Sequence, residues 1–116
     1  QHPDLFFAVA KDENGRKLGL ITARKVDDAT LMLHRLYVHP KFQRQGIGSK
    51  MLDAALIEFP TAKTMRLEVE EENKKGYAFY VKQGFKDIDR KTETVEGEVL
   101  KIIVMEKSLA SGNDER

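Results

Sequence analysis

A short segment of this chain combines two glycines with basic and amide side chains, the residue types that bind a phosphate group. It consists of Gln43, Arg44, Gln45, Gly46, Ile47, Gly48 and Ser49. Glycine lets the backbone turn sharply and approach a ligand closely, and free N–H groups at the start of a helix attract an anion. No acidic residue lies between Lys41 and Lys50. The segment therefore predicts an anion site, although a plain strand-to-helix connection with solubilising lysines explains the same residues.

Two common phosphate loops do not fit this segment. A dinucleotide fingerprint requires a third glycine at position 51, where the chain has Met51. A nucleoside-triphosphate loop requires a lysine directly after its last glycine, where the chain has Ser49 after Gly48. Both loops are excluded.

The elements around the segment can be predicted from hydrophobic spacing. The apolar run Leu31 to Val38 predicts a strand, and Pro40 prevents its continuation. Apolar residues recur at helical spacing from Ile47 to Phe59, and Pro60 marks the end of that helix. The anion site is thus expected where a strand passes into a helix.

The remaining elements predict a mixed fold. Before this strand, an Asn14-Gly15 turn predicts a hairpin of Leu5–Ala10 and Leu18–Val26. After the helix come an alternating strand, Thr64 to Glu71, a helix capped by Asn73 and ended by Gly84, and a closing hairpin of residues 85–95 and 98–107. This order indicates an α+β class with a mixed, mostly antiparallel sheet, in a single domain of residues 1–116 whose residues 109–116 form a polar tail.

Composition limits the classes of function. The chain has 116 residues, a formal net charge of +1 and no cysteine, so nothing points to nucleic acid, a membrane surface or thiolate chemistry. No metal site is expected, because His2, His34 and His39 lack ligand spacing. The absence of a secretory signal and of cysteine favours the cytoplasm.

Two blocks of the sequence resemble the GNAT superfamily of acyl-CoA-dependent N-acetyltransferases. The first is Leu36-Tyr37-Val38-His39-Pro40 followed by Gln43-x-x-Gly46-x-Gly48. The second is Asn73, the pair Phe79-Tyr80 and Gly84-Phe85. The resemblance covers residues 5–109 and implies a GNAT-like sheet with helices on both faces. It departs at the front, where family members have a strand and two helices that this sequence lacks.

The resemblance implies acetyl-CoA as cosubstrate and assigns roles around it. Leu36, Tyr37 and Val38 would offer backbone groups to the pantetheine arm, with a bulge there supplying an oxyanion donor. Residues 43–49 would hold the pyrophosphate, while Asn73 and Phe79 would contact the coenzyme. Tyr80 would both line the coenzyme site and act as general acid toward the departing thiolate. Without the resemblance, Tyr80 would be read as a core tyrosine.

The general base is left open by the sequence. His34 lies on the strand beside the expected acetyl site and has a suitable reference pKa of about 6.5. A structural or exposed histidine is the alternative interpretation. Glu68 and Glu70 share a strand face and would attract a cationic acceptor or act through water, unless they only form ion pairs.

The leading hypothesis is therefore acetyl transfer to a primary amine of a small molecule, polyamine or protein by direct attack in a ternary complex. A non-catalytic module that binds acyl-CoA is the alternative, and an interaction domain with a merely structural glycine loop is a third. The acceptor stays unidentified. A homodimer is the default expectation, with the apolar final strand as a free sheet edge.

Overall fold

The computed structural model describes residues 4–43 and 45–109. The chain divides after Ala62 into two compact units. The described residues form six β-strands and two α-helices, and every strand pairing within a unit is antiparallel. The prediction of a mixed α+β fold with mostly antiparallel strands is confirmed. The single-domain assignment stays a prediction.

The first unit is an antiparallel three-stranded meander with one helix. Its strands are β1 (Leu5–Lys11), β2 (Lys17–Asp27) and β3 (Thr30–Val38), paired in chain order. A 3-10 turn over Pro40–Phe42 leads from β3 toward α1 (Ile47–Glu58). The predicted strand-to-helix passage around the glycine segment is thus confirmed.

The turn between β1 and β2 is organised by one aspartate. Asp12 Oδ1 accepts hydrogen bonds from the backbone N–H groups of Asn14 at 2.8 Å and Arg16 at 2.9 Å. These bonds, led by the one from Arg16, lower the pKa of the Asp12 carboxyl. Gly15 takes a φ of +85°, which a side chain would disfavour. The predicted Asn14-Gly15 turn is confirmed.

The core of the first unit lies between α1 and one face of the meander. Strand residues that pair with one another point to the same face, so Phe6, Ala23 and Leu33 share the face that α1 covers. The ring of Phe6 meets that of Phe59 edge-on at 6.3 Å. The buried side chains from strands and helix are Ile21, Ala23, Leu31, Leu33, Met51, Leu52, Ala55 and Phe59.

The second unit pairs its strands out of chain order. It contains β4 (Thr64–Glu70), α2 (Lys74–Lys82), β5 (Lys86–Val95) and β6 (Glu98–Ser108). β6 pairs with β4 on one side and with β5 on the other. The expectation that the apolar final strand is a free edge is therefore wrong, because both of its edges are occupied.

Side chains on β4 alternate between core and surface as predicted. Met65, Leu67 and Val69 are buried, and the residues between them are exposed. One of the charged positions, Arg66, binds Glu106 across the sheet at 2.7 Å. No helix in the described part of the chain is long and apolar enough to cross a membrane.

Candidate active site

The loop after β3 is held by its own side chains. His39 Nδ1 accepts a hydrogen bond from Lys41 N at 3.1 Å and so caps the 3-10 turn. Gln43 Nε2 donates to the carbonyl oxygen of Val38 at 3.1 Å. Gln43, expected to bind coenzyme, thus ties the loop back to the end of β3. Gln45 is exposed, and Arg44 lies outside the described residues.

The start of α1 has the geometry of an anion site. Gly46 is its N-cap, with a φ of +80° and no side chain to cap the first turn. The first helical hydrogen bond runs from Lys50 N to Gly46 O at 3.0 Å, so the N–H groups of Ile47 and Gly48 precede it. A Cβ on Gly46 would meet none of the described residues within 4 Å, so the space beside its Cα is open. The first turn carries no acidic residue, so its positive end is left for a ligand.

Strand β3 leads directly into this loop, and it contains a bulge outside the predicted residues 36–38. Thr22 pairs with Arg35 and the next residue, Ala23, pairs with Leu33, so His34 is the extra residue of a bulge. Residues 36–38 pair regularly with residues 19–21 of β2. The prediction of a bulge in residues 36–38 is therefore wrong for the pairing of β3 with β2, where the bulge falls at His34. The His34 side chain is exposed.

A glycine of β2 fits tightly against the end of β3. A Cβ on Gly19 would clash with the backbone carbonyl oxygen of Tyr37 and would lie 3.2 Å from Val38 Cα and 3.0 Å from Met51 Cε. The close approach fixes the backbone of β3 directly before the loop. Sequence reasoning missed this residue, because its neighbours lie far along the chain.

We expect Gly19→Ala to destabilise the first unit by about 1–3 kcal/mol, since the added methyl group has no space and the backbone of β3 must move. Urea unfolding followed by circular dichroism measures the loss. Gly97→Ala is the comparison without a steric clash, because a Cβ there would meet nothing within 4 Å and the cost comes only from its φ of +83° in the β5–β6 turn. Equal stability of Gly19→Ala and the wild-type protein would contradict the close approach.

Helix α2 carries the second group of predicted residues. Asn73 Oδ1 accepts a hydrogen bond from Gly76 N at 3.0 Å, which confirms Asn73 as the N-cap. A Cβ on Gly76 would lie 2.5 Å from Asn73 Nδ2, so a larger residue there would displace the Asn73 side chain. Because the cap uses Oδ1, the Nδ2 donors of Asn73 can still serve a ligand. Gly84 follows the helix with a φ of +99°, as predicted.

Tyr80 lies within an aromatic cluster on α2. Its ring meets that of Phe79 at 5.4 Å and that of Phe85 at 5.7 Å, both edge-on. Burial among these rings raises the pKa of the Tyr80 hydroxyl above its ordinary value. Within the part of the chain that the structure describes, no hydrogen bond is made by this hydroxyl. Tyr80 therefore holds its proton firmly and has it available for a ligand.

A polar network that sequence reasoning missed anchors α2 to β5. The Tyr77 hydroxyl donates to Asp87 Oδ1 at 2.9 Å, and this bond raises the pKa of Tyr77. Arg90 binds Asp87 at 3.2 Å and Glu71 at 3.0 Å. The network fixes the helix that carries Tyr80. Its sequence signal was only the abundance of charge in residues 86–93.

The acidic residues of β4 differ in their partners. Glu68 binds Lys91 Nζ at 2.8 Å, and the hydrogen bonds that Lys91 donates to Glu68 and Glu93 raise the pKa of Lys91. The ion-pair interpretation of Glu68 is confirmed. Glu70 is exposed and forms no ion pair with any residue that the structure describes. Those residues include no group of three side chains suited to hold a metal ion.

The predicted site residues are thus distributed over both units. In the first unit, β3, the 3-10 turn and Gly46 bring the strand end and the anion site into one continuous segment. In the second unit, Asn73, Phe79 and Tyr80 are carried by one helix and its cap.

Comparisons with known proteins agree with these features. Residues 3–87 match the family model described as an acetyltransferase (GNAT) domain. A comparison with curated protein sequences finds no match.

Solved structures of acetyltransferases share the fold. Nourseothricin acetyltransferase matches with a TM-score of 0.82 and 20% identity, over 91% of this chain and 66% of that chain. A GNAT family acetyltransferase from Elizabethkingia anophelis, with acetyl-CoA bound, matches with a TM-score of 0.74 and 20% identity, over 91% and 77%. The PaiA N-acetyltransferase from Thermoplasma acidophilum, in complex with coenzyme A, matches with a TM-score of 0.72 and 29% identity, over 91% and 62%.

The chain therefore spans 66% of the first of these proteins and 62% of the third. The first two matches, at 20% identity, concern the fold alone. The family model covers most of the sequence, including the glycine loop, Asn73 and the Phe79-Tyr80 pair. This chain belongs to the GNAT acetyltransferase family.

Proposed function

We propose that the protein transfers an acetyl group from acetyl-CoA to a primary amine by direct attack in a ternary complex. The observation that carries the proposal is the uncapped start of α1 at Gly46, with open space before it and no acidic residue in its first turn. Such a helix start binds a phosphate through backbone N–H groups. Two solved structures of the same fold hold acetyl-CoA or coenzyme A, and these complexes support our assignment of the anion to the pyrophosphate of the coenzyme.

The residues of this chain supply the parts of the reaction in the following way. The N–H groups of Ile47 and Gly48, joined by residues 43–45 and Ser49, hold the pyrophosphate. The backbone of residues 36–38 aligns the pantetheine arm, and Asn73 Nδ2 and the Phe79 ring contact it. The amine nitrogen then attacks the thioester carbonyl carbon, a C–N bond forms and the C–S bond breaks.

Two proton transfers complete the reaction. The Tyr80 hydroxyl keeps its proton because burial raises its pKa. It donates that proton to the departing thiolate. The proton of the attacking amine leaves to His34, whose exposed ring sits at the bulge of β3, or to water. Glu70 is the remaining carboxylate available to attract a cationic amine. We place the reaction in the cytoplasm.

Release of free coenzyme A from acetyl-CoA over a panel of primary amines tests this function. The panel includes polyamines, aminoglycosides and peptides with free N-termini, and free thiol is measured continuously. We expect thiol release that depends on at least one amine. Binding of acetyl-CoA by calorimetry with no turnover of any amine would instead identify a coenzyme-binding module, and absence of binding would reject both functions.

A further inference from the structure

Two arginines of the first unit lie on the face of the meander that is turned away from α1, which we call the far face. Side chains along a strand alternate between the two faces of a sheet. The strand pairings define two neighbouring far-face rows, namely Phe7, Thr22 and Arg35 in one and Leu5, Arg24 and Met32 in the next. Arg24 and Arg35 are therefore diagonal neighbours on adjacent strands, and two such long side chains can reach the same point.

The charge of these arginines is not balanced within the meander. Both are exposed, and neither forms an ion pair with any residue that the structure describes. The three strands contain one acidic residue, Asp27 at the end of β2, and its carboxylate accepts a hydrogen bond from Ala29 N in the β2–β3 turn. Two like charges on neighbouring strands repel each other, and an anion bound between them would remove that repulsion. The far face therefore favours an anionic group at this point.

The arginines lie where the thioester is expected in the proposed reaction. In that reaction the coenzyme extends from the loop at Gly46 back along residues 38–36. Its thioester end then reaches the preceding residues of β3, which are Arg35 and the bulged His34. Arg24 belongs to the next row, further from the loop. An amine that attacks the thioester from the far face thus has both guanidinium groups beside it.

On the basis of the proposed acetyl transfer, we propose that the acceptor is a primary amine that also carries an anionic group, a carboxylate or a phosphate, bound by Arg24 and Arg35. A guanidinium group suits this role because its N–H donors form two parallel hydrogen bonds to one carboxylate or phosphate. The anionic group holds the amine nitrogen at the thioester carbon, on the loop side of the arginines. Amino acids and aminoalkyl phosphates belong to this class, whereas polyamines do not.

The apolar neighbours of the arginines favour an acceptor with an apolar body. Leu5 and Met32 flank Arg24 in its row, and the 65% exposed Phe7 shares the row of Arg35. Apolar surroundings strengthen a guanidinium–anion pair, because the effective dielectric constant beside them is lower than in water. An acceptor can therefore bind here whether the far face is open to solvent or covered by a further segment of chain.

Steady-state thiol release from acetyl-CoA with matched pairs of acceptors tests the acceptor class. Leucine is compared with 3-methylbutylamine, which lacks only the carboxylate, and O-phosphoethanolamine is compared with ethanolamine. The two pairs distinguish a carboxylate from a phosphate. We expect kcat/KM to be at least about tenfold higher for the anionic member of at least one pair.

Substitution of the arginines tests the assigned residues. Arg35→Gln and Arg24→Gln should each lower the kcat/KM ratio within the preferred pair at least about tenfold, mainly by raising KM for the anionic acceptor. Arg35→Lys should lower it less, because lysine keeps the charge and loses the bidentate geometry. Lys25→Gln is the matched control, since Lys25 follows Arg24 in β2 but pairs with the buried Leu31 on the α1 face. It should leave the ratio unchanged.

The outcomes separate this inference from the proposed function. Calorimetry with acetyl-CoA should give the same affinity in all four variants, which shows that each is folded. Turnover of amines with no preference for an anionic acceptor, or a preference that survives both Arg35→Gln and Arg24→Gln, would overturn the acceptor class and leave acetyl transfer in place. Binding of acetyl-CoA without turnover of any amine would overturn both.

Discussion

Gly46→Val is expected to remove acetyl-CoA binding while leaving the protein folded. The valine Cβ would enter the open space before α1, where Gly46 now allows a phosphate to reach the N–H groups of Ile47 and Gly48. Losing two hydrogen bonds to a charged group, worth roughly 1.5–3 kcal/mol each, lowers the affinity at least about 100-fold. Titration calorimetry with acetyl-CoA measures the change.

The chain offers a matched control for this variant. Gly15 has a φ of +85°, against +80° at Gly46, and a Cβ on either would meet nothing within 4 Å. Valine should therefore cost both sites a similar strain of about 1–2 kcal/mol, although only Gly46 faces the coenzyme in our proposal. Similar affinity for acetyl-CoA in Gly46→Val and Gly15→Val would show that the loop is only a connection between β3 and α1.

The anion site could be predicted from sequence because its determinants are local. Gly46, the helix that follows it and the lack of acid in the first turn all lie within ten residues. The cap at Asn73 and the turn at Gly84 were predictable for the same reason. Each depends on backbone preferences of residues that are neighbours in the chain.

Features that depend on pairing were not predictable in this way. The bulge falls at His34 rather than in residues 36–38 because register is set by which β2 residue lies opposite. Gly19 matters only because Tyr37 and Met51 approach it. Neither the spacing nor the composition of a single strand contains that information.

The position of β6 had a sequence signal that was misread. Four consecutive residues, 102–105, are buried, so both faces of the strand are covered. An uninterrupted apolar run of this kind is typical of an interior strand. The alternating charges of β5 in turn indicate an edge.

Tyr80→Phe is expected to lower kcat about 100-fold or more, the range for loss of a general acid, with little change in KM for acetyl-CoA. Phenylalanine keeps the ring contacts with Phe79 and Phe85 and removes only the hydroxyl. Steady-state thiol release with the best amine of the panel measures the effect. Tyr77→Phe is the matched control, because Tyr77 lies three residues earlier on α2 and its hydroxyl is engaged by Asp87.

The pH dependence gives this prediction its second measurement. Burial raises the pKa of Tyr80 above the ordinary tyrosine value of about 10. Its proton is therefore present at neutral pH and is lost only as the pH rises through the raised pKa. We expect ionisation of Tyr80 to cause no fall in the kcat of the wild-type protein below about pH 10. Above that pH, kcat should fall in the wild-type protein and in Tyr77→Phe but not in Tyr80→Phe. Unchanged kcat in Tyr80→Phe would assign the proton to water instead and leave Tyr80 as part of the aromatic cluster.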